Sequence, residues 1–222
     1  MSTKPDQTPV TEADAAVEDA LRARIASKRR GDAFLGEETG AAPRARDATR
    51  RWIVDPIDGT RNYSRGIPVW ATLIALEERG ETRLGVVSAP ALHHRWWAER
   101  GGRAWMNGDP IHVSGIRRLE EAVLSFTRSS LAEPGVLDLA RRSWHARGFG
   151  DFWGHMLVAE GAADANIDAP GVSVWDLAAI QVVVEEAGGR FTDYAGERRL
   201  DSGNAVSSNG HLHDDVLRAL AG

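Results

Sequence analysis

The sequence predicts a layered α/β fold in which helices and mixed β-sheets stack on one another. Two patterns indicate it: closely spaced apolar runs separated by turn residues fill the first half, and strand-like and helix-like segments alternate in the second. The 222 residues are 42% hydrophobic and 27% charged, which suits a globular chain. We expect one domain over residues 1–222, with a meander half over about 1–115 and an alternating half over about 116–222.

The charge balance excludes some function classes. The chain has 27 Lys and Arg against 32 Asp and Glu, a formal net charge of −5, and no basic stripe, so we expect no nucleic-acid partner. Its longest apolar run, at residues 67–76, is interrupted by Pro68 and is shorter than the ~20 residues of a membrane helix, so we expect no membrane partner. Residues 1–10 lack a secretory apolar segment and cysteine is absent, which predicts a cytoplasmic protein.

The first elements follow from periodicity and turn residues. Apolar residues at helical spacing, with acids early and bases late, predict a helix over residues 11–30. The polar residues 39–50 predict an exposed, mobile loop. The apolar run at residues 52–54 predicts a buried strand that ends with Asp55 at its carboxyl tip, because Pro56 follows.

The later elements are predicted in the same way. Four runs divided by turn residues predict an antiparallel meander, at residues 69–77, 82–89, 92–98 and 103–106. Strands are then predicted near residues 122–126, 163–168, 190–193 and 204–208. Helices are predicted near residues 135–143, 152–161, 174–187 and 212–220.

One segment, DPIDGTRN at residues 55–62, indicates metal and phosphate chemistry. Asp55 and Asp58 are two carboxylates at a strand-to-turn junction, and Mg²⁺ binds through a few carboxylates while leaving positions for phosphate oxygens. Gly59 lets the backbone approach an anion, so the amides of Gly59 and Thr60 are candidate phosphate donors. Ordinary turn chemistry with two solvated acids is the alternative interpretation of this segment alone.

Other acids admit two interpretations as well. The pair Glu37 and Glu38 follows a glycine, and Asp176 opens an apolar helix, so each could complete a metal site. The alternative is helix capping, because Asp14 and Asp176 each follow a Thr or Ser by three residues, in Thr11-x-x-Asp14 and Ser173-x-x-Asp176. Taken alone, this spacing favours capping for both Asp14 and Asp176.

The motifs together resemble those of the inositol monophosphatase family. The matching segments, in the family's order, are VTEAD at residues 10–14, GEE at 36–38, WIVDPIDGTRNY at 52–63, WDLAA at 175–179 and EAGG at 186–189. Further segments most resemble the histidinol-phosphate phosphatases of actinobacterial type, among them GIPVWA at residues 66–71, GDF at 150–152 and LVAEG at 157–161.

The resemblance implies a layered α-β-α-β-α sandwich, frequent homodimers and Mg²⁺-dependent hydrolysis of a small phosphate monoester. It implies two or three bound Mg²⁺ ions and inhibition by Li⁺. The substrate expected first is L-histidinol phosphate, converted to L-histidinol in histidine biosynthesis, with inositol phosphates second and nucleotide 3′-phosphates third.

Site roles come from the same resemblance, position by position. The implied metal ligands are Glu37, Asp55, the carbonyl of Ile57, Asp58 and Asp176. The implied catalytic residues are Glu37, Asp14 and Thr60, of which the last two orient the attacking water. Gly59 and Thr60 are implied phosphate contacts, and Asp151 and Asp168 are candidate partners for the cationic groups of histidinol.

The chain departs from the family pattern at three places. The family usually has a long helix before VTEAD, whereas only residues 1–9 stand there, so we expect that helix to be absent. Ala169, with Asp168 beside it, stands where many members have a substrate-contacting glutamate. His155 stands where the nearest subgroup tends to have an aromatic residue. A role in the core or the pocket wall is expected for it at least as much as direct contact with the substrate.

Two rival functions remain open at this point. A haloacid-dehalogenase type phosphatase would phosphorylate its first aspartate, but its D-x-D-G-T spacing differs from the D-x-x-D-G-T found here. A non-catalytic metal-binding module is the alternative from another class.

Overall fold

The computed structural model describes residues 2–3, 9–41 and 49–221, and within these ranges the chain forms three β-sheets and six α-helices. The helices are α1 (Glu12–Lys28), α2 (Thr60–Ser64), α3 (Val136–Arg142), α4 (Asp151–Ala159), α5 (Val174–Glu186) and α6 (His213–Leu220). The strands are β1 (Ser2–Thr3), β2 (Pro9–Val10), β3 (Ala33–Gly36), β4 (Gly40–Ala41), β5 (Arg50–Asp58), β6 (Ala71–Glu78), β7 (Glu81–Ala89), β8 (His94–Glu99), β9 (Ala104–Met106), β10 (Asp109–Ile111), β11 (Val123–Phe126), β12 (His145–Arg147), β13 (Ala165–Asp168), β14 (Arg190–Thr192) and β15 (Ala205–Ser208).

The larger sheet contains the predicted meander. Its strand order is β10-β9-β8-β7-β6-β5-β3-β4, and every neighbouring pair is antiparallel except β3 and β5. The parallel pair β3 and β5 is important for function because both strands end at the same edge of the sheet. The turn after β3 and the DPID segment therefore lie side by side.

The smaller sheet has the order β12-β11-β13-β15-β14, with β11 parallel to both of its neighbours. Its strands correspond to those predicted from the second half, except for β12. That strand, His145–Arg147, is a three-residue edge strand of polar and small residues, so it carries no apolar alternation by which the sequence could reveal it.

The layers stack as the sequence predicts. Helices α4 and α5 pack between the two sheets in one hydrophobic core, which includes Phe152, Leu177 and Ile180. Helices α3 and α6 cover the other face of the smaller sheet in a second core, which includes Leu139 and Val216. Helix α1 lies against β5 and contributes no residue to either core. The resulting α-β-α-β-α order confirms the predicted fold class.

The predicted end of the first buried strand is wrong. We expected the strand to end at Asp55 because Pro56 follows, whereas β5 continues to Asp58. The pairing with β6 shifts register between Asp55 and Asp58, so the strand bulges where proline has no amide hydrogen to donate. Thr72 on β6 instead donates its hydroxyl to the Pro56 carbonyl at 2.8 Å.

Two further expectations concern the ends and connections of elements. The predicted helix over residues 11–30 is present as α1. The predicted exposed loop at residues 39–50 is wrong at its ends, because Gly40–Ala41 form β4 and β5 begins at Arg50. Residues 42–48 of this prediction lie outside the described residues. Each helix in the described ranges is too short or too polar to cross a bilayer.

Candidate active site

Three carboxylates from distant parts of the chain meet at one point. One carboxylate oxygen each from Asp55, Asp58 and Asp176 lies within 4.8 Å of the others. The first two come from the end of β5 and the third from the first turn of α5. The bulge in β5 and the packing of α5 on the larger sheet together bring these groups into reach of one cation.

Backbone hydrogen bonds hold two of these side chains in place. Asp58 Oδ2 accepts a hydrogen bond from the Phe152 amide at 2.5 Å, which joins the end of β5 to the first turn of α4. Asp176 Oδ2 accepts one from the Ser173 amide at 2.5 Å, within the predicted capping box. The capping interpretation of Asp176 is therefore confirmed, and the same side chain also reaches the carboxylate cluster.

The cluster is electrostatically unfavourable without a cation. Burial, followed by the charges of Asp58, Glu37 and Asp176, raises the pKa of Asp55 well above its usual value. Burial is also the main reason that the pKa of Asp176 rises to about 7. Asp55 Oδ1 is buried and has no hydrogen-bond partner among the described residues. A hard divalent cation fits these oxygen ligands, because it would pair the orphaned oxygen and offset the repulsion.

Glu37 approaches the cluster from the turn that follows β3. Its amide donates to the Val54 carbonyl of β5 at 3.1 Å, and its charge contributes to the raised pKa of Asp55. Because β3 and β5 are parallel, the turn after β3 lies at the same sheet edge as the DPID segment.

The turn that carries Glu37 is held by a residue that the sequence did not single out. Glu18 of α1 is fully buried and accepts hydrogen bonds from the Glu38 amide at 2.8 Å and the Thr39 amide at 3.1 Å, and also from the Thr39 hydroxyl. Its carboxylate lies 2.3 Å from where a Cβ on Gly36 would stand. Glu18 also pairs with Arg22, four residues later on the same helix, at 3.1 Å. No motif signals its role at the turn, because the Glu38 and Thr39 amides are about twenty residues away along the chain.

Asp14 and Thr60 lie beside the predicted carbonyl ligand. The Thr60 hydroxyl donates to the Ile57 carbonyl at 2.9 Å and lies 3.3 Å from Asp14 Oδ1. Asp14 is fully buried, and its Oδ2 accepts from the Thr11 amide at 2.7 Å, so the predicted capping box at α1 is also confirmed.

Gly59 occupies a position that a larger residue could not take without strain. It caps α2 with φ of +83°, and a Cβ there would lie 3.0 Å from the Val69 carbonyl. The chain can therefore turn sharply between Asp58 and Thr60, which leaves the backbone of this turn on the wall of a cleft.

The cleft has a volume of about 920 Å³. It is lined by these sequence-predicted site residues: Glu37, Asp58, Gly59, Thr60, Asp151, Asp168 and Asp176. The other three predicted residues, Asp14, Asp55 and Ile57, are buried behind that lining. All ten thus lie in or directly behind one cleft.

Two further carboxylates belong to the cleft wall beyond the cluster. Asp151 starts α4 with φ of +55°, and its Oδ2 accepts a hydrogen bond from the Asn62 side chain at 3.0 Å. Burial first, and then the charge of Asp168, raise the pKa of Asp151 to about 6, while Arg61 opposes the shift. This wall therefore presents acids to whatever occupies the cleft.

Some lining residues were not predicted as site residues. Arg61, Thr127, Arg128 and Ser129 line the cleft as well. Three of them follow β11, a strand with parallel neighbours, and ligands commonly bind beyond the carboxyl ends of such strands. That rule could have directed attention to residues 127–129.

Comparison with known proteins gives a consistent result. The model of the "Inositol monophosphatase family" matches residues 2–221. The chain is 50% identical to a histidinol-phosphatase of Mycobacterium tuberculosis, covering 99% of this chain and 87% of that protein. It is 47% identical to a histidinol-phosphatase of Streptomyces coelicolor, with 99% and 86% covered. Among solved structures, the extragenic suppressor protein suhB of Bartonella henselae aligns with a TM-score of 0.90 at 32% identity, with 99% and 87% covered.

Proposed function

Because this chain belongs to the inositol monophosphatase family and is a phosphatase, we propose that it hydrolyses L-histidinol phosphate to L-histidinol and phosphate with Mg²⁺ as its metal. One observation supports this choice most: a single cleft contains the carboxylate cluster and, beyond it, the acids Asp151 and Asp168. Histidinol carries an ammonium group and an imidazole, whereas inositol is uncharged, so an acidic wall favours histidinol phosphate.

We assign the metal to the carboxylates of Glu37, Asp55, Asp58 and Asp176 and to the carbonyl of Ile57. Bound Mg²⁺ would supply charge neutralisation for the phosphoryl oxygens and a water of lowered pKa. The orphaned Asp55 Oδ1 and the raised pKa values of Asp55 and Asp176 support this assignment.

Asp14 and Thr60 orient the attacking water in this proposal. The Thr60 hydroxyl donates to the Ile57 carbonyl in the structure. With that carbonyl bound to metal, the hydroxyl would turn its hydrogen towards Asp14 Oδ1, 3.3 Å away, and accept a hydrogen bond from the water. The water oxygen bonds to phosphorus, and the bond from phosphorus to the ester oxygen breaks on the opposite side. The water gives up one proton through the Thr60 hydroxyl to Asp14, and the histidinol oxygen takes up one proton from solvent as it leaves. The amides of Gly59 and Thr60 donate to phosphoryl oxygens.

Family membership removes both rival functions, whereas the alternative substrates remain. The chain's membership of a phosphatase family removes the non-catalytic module, and it also removes the haloacid-dehalogenase type with its phosphorylated aspartate. Inositol 1-phosphate remains the second candidate substrate, and nucleotide 3′-phosphates the third. Homodimerisation, inhibition by Li⁺ and a cytoplasmic location remain parts of the proposal that rest on the family resemblance and the sequence.

A substrate panel tests the proposal. Phosphate release would be measured from histidinol phosphate, inositol 1-phosphate and a nucleotide 3′-phosphate, each in Mg²⁺ with and without Li⁺. We expect kcat/KM for histidinol phosphate to exceed the other two by at least about tenfold, as expected for an ester whose cationic groups find acidic partners. Equal or higher kcat/KM for inositol 1-phosphate would reject histidinol phosphate as the substrate.

A further inference from the structure

A series of buried side-chain hydrogen bonds connects the smaller sheet to the cleft. Ser207 Oγ on β15 lies 2.8 Å from Nδ1 of His155, and His155 Nε2 lies 2.6 Å from Oδ2 of Asp168. His155 and Ser207 are fully buried, and Asp168 is 4% exposed. His155 and Asp168 both line the cleft, so this series of hydrogen bonds ends at the cleft wall that contains Asp151 and Asp168.

We propose that His155 is a positioning residue that fixes the Asp168 carboxylate for the cationic alcohol portion of the substrate. This inference rests on the proposed function, since it concerns how the same cleft selects histidinol phosphate. It assigns His155 no contact with the reacting atoms. Asp168 binds the substrate cation, and His155 acts through Asp168.

The hydrogen-bond roles follow from the partners. The Asp168 carboxylate accepts, so the Nε2–H of His155 donates to its Oδ2. Nδ1 of His155 shares a hydrogen bond with the Ser207 hydroxyl, which can act as donor or acceptor. The Asn166 side-chain nitrogen also lies 3.1 Å from His155 Nε2. The Asn166 side-chain amide lies 3.3 Å from the other oxygen, Oδ1, and donates to it. Both carboxylate oxygens are therefore restrained, and the side chain keeps one orientation.

Restraint is needed because Asp168 stands among like charges. Its charge contributes to the raised pKa values of Asp58, Asp151 and Asp176. Without hydrogen-bond partners, the Asp168 side chain would be repelled by these acids and would leave its position in the cleft wall. A donor behind the carboxylate opposes that movement and leaves the charge available to a cation in the cleft.

The chain contains a matched histidine without this role. His213 is also fully buried, and its ring nitrogens lie 2.8 Å from Thr192 Oγ1 and 2.8 Å from Ser208 Oγ. Its two hydroxyl partners satisfy the ring, so burying a histidine in this fold does not require a carboxylate. His213 does not line the cleft, which makes it the control for purely structural effects.

The first test compares KM for two phosphate esters. His155→Phe keeps an aromatic ring but removes the N–H, and we expect it to raise KM for histidinol phosphate about tenfold more than KM for glycerol 2-phosphate, whose alcohol is uncharged. His155→Gln, which restores a donor, should recover part of this selectivity. His213→Phe should lower Tm while leaving the ratio of the two KM values unchanged. Equal effects of His155→Phe on both esters would overturn the inference.

Two measurements separate this inference from the proposed function. In a double-mutant cycle, His155→Phe should add little to the loss that Asp168→Asn causes with histidinol phosphate, and full additivity would contradict the pairing. The ¹⁵N NMR spectrum of the imidazole should show His155 protonated at Nε2 and lose that signature in Asp168→Asn. A proton at Nδ1 instead would overturn the positioning role whatever the substrate is. Failure to hydrolyse histidinol phosphate, with the Nε2 signature present, would reject the proposed function alone.

Discussion

The Glu18 carboxylate occupies the space that a side chain at Gly36 would need, since it lies 2.3 Å from the position of a Cβ there. From that place it accepts the amides of the turn that carries Glu37. Helix α1 thus determines where one of the proposed metal ligands stands, although α1 itself offers no ligand to the three-carboxylate cluster.

We predict that Glu18→Ala weakens Mg²⁺ binding about tenfold, because a turn that loses a charged acceptor no longer holds Glu37 in place. Isothermal titration of Mg²⁺ would measure the change. Asp19→Ala is the matched control, since Asp19 is the exposed neighbour on the same helix and should leave the affinity unchanged. Wild-type affinity in Glu18→Ala would show that the turn needs no anchor.

Gly36→Ala should disturb the same contact from the other side. The added methyl would meet the buried Glu18 carboxylate, which cannot leave without breaking its bonds to the turn. We expect a loss of about 1–3 kcal/mol in the free energy of unfolding, typical of overpacking at a buried site. Gly31→Ala is the control, because a Cβ there would meet no atom of the described ranges within 4 Å. Denaturant unfolding of both variants decides the point.

Metal should stabilise the protein more strongly at higher pH. The raised pKa values of Asp55, Asp58 and Asp176 mean that the metal-free native state holds protons more tightly than the unfolded chain. As pH rises from about 4 to about 7, the unfolded chain releases these protons first, so the cluster lowers the free energy of unfolding. A bound cation removes this cost.

The difference in Tm between Mg²⁺-loaded and EDTA-treated protein should therefore grow between about pH 5 and about pH 8. Thermal unfolding with and without Mg²⁺ across this range measures it. A Tm that does not respond to Mg²⁺ at the upper end of the range would count against the carboxylate cluster as a metal site.

Asp55→Asn should separate stability from catalysis. The neutral side chain relieves repulsion with Asp58, Glu37 and Asp176, so the metal-free variant should have a Tm at least equal to that of the wild type. Its activity should fall by about a thousandfold, as when a group central to catalysis is removed. Activity within about tenfold of wild type would refute its role as a metal ligand.

His213 should make the protein sensitive to acid. Burial, assisted by Arg190, lowers its pKa to about 4, below the usual value of 6.5. As pH falls from about 6.5 to about 4, the unfolded chain takes up the proton first, so the native state loses up to about 3 kcal/mol of stability from this group. Urea unfolding of wild type and His213→Gln at several pH values tests this, and identical pH slopes would contradict it.

Local sequence patterns predicted most of the architecture, because the helices and strands concerned are long or are bounded by clear turn residues. The helix at α1 and the meander of β6 to β9 are examples. The course of β5 through Pro56 could not be predicted, since it depends on the bulge against β6 and on Thr72.

The site shows the same division. Its motif residues were found by resemblance, and the parallel pairing of β3 and β5 explains why two of those motifs meet. The roles of Glu18 and His155 in holding site residues in place were not predicted, because these roles depend on tertiary contacts. Glu18 reaches a turn about twenty residues away, and His155 joins Asp168 to Ser207, which belongs to another strand.

Anomalous diffraction from crystals grown with Mn²⁺ in place of Mg²⁺ would show whether the three clustered carboxylates bind a metal ion, because Mn²⁺ prefers the same oxygen ligands. We expect an anomalous peak within coordination distance of Asp55, Asp58 and Asp176. A fully occupied peak elsewhere on the protein, with none at these three carboxylates, would contradict it.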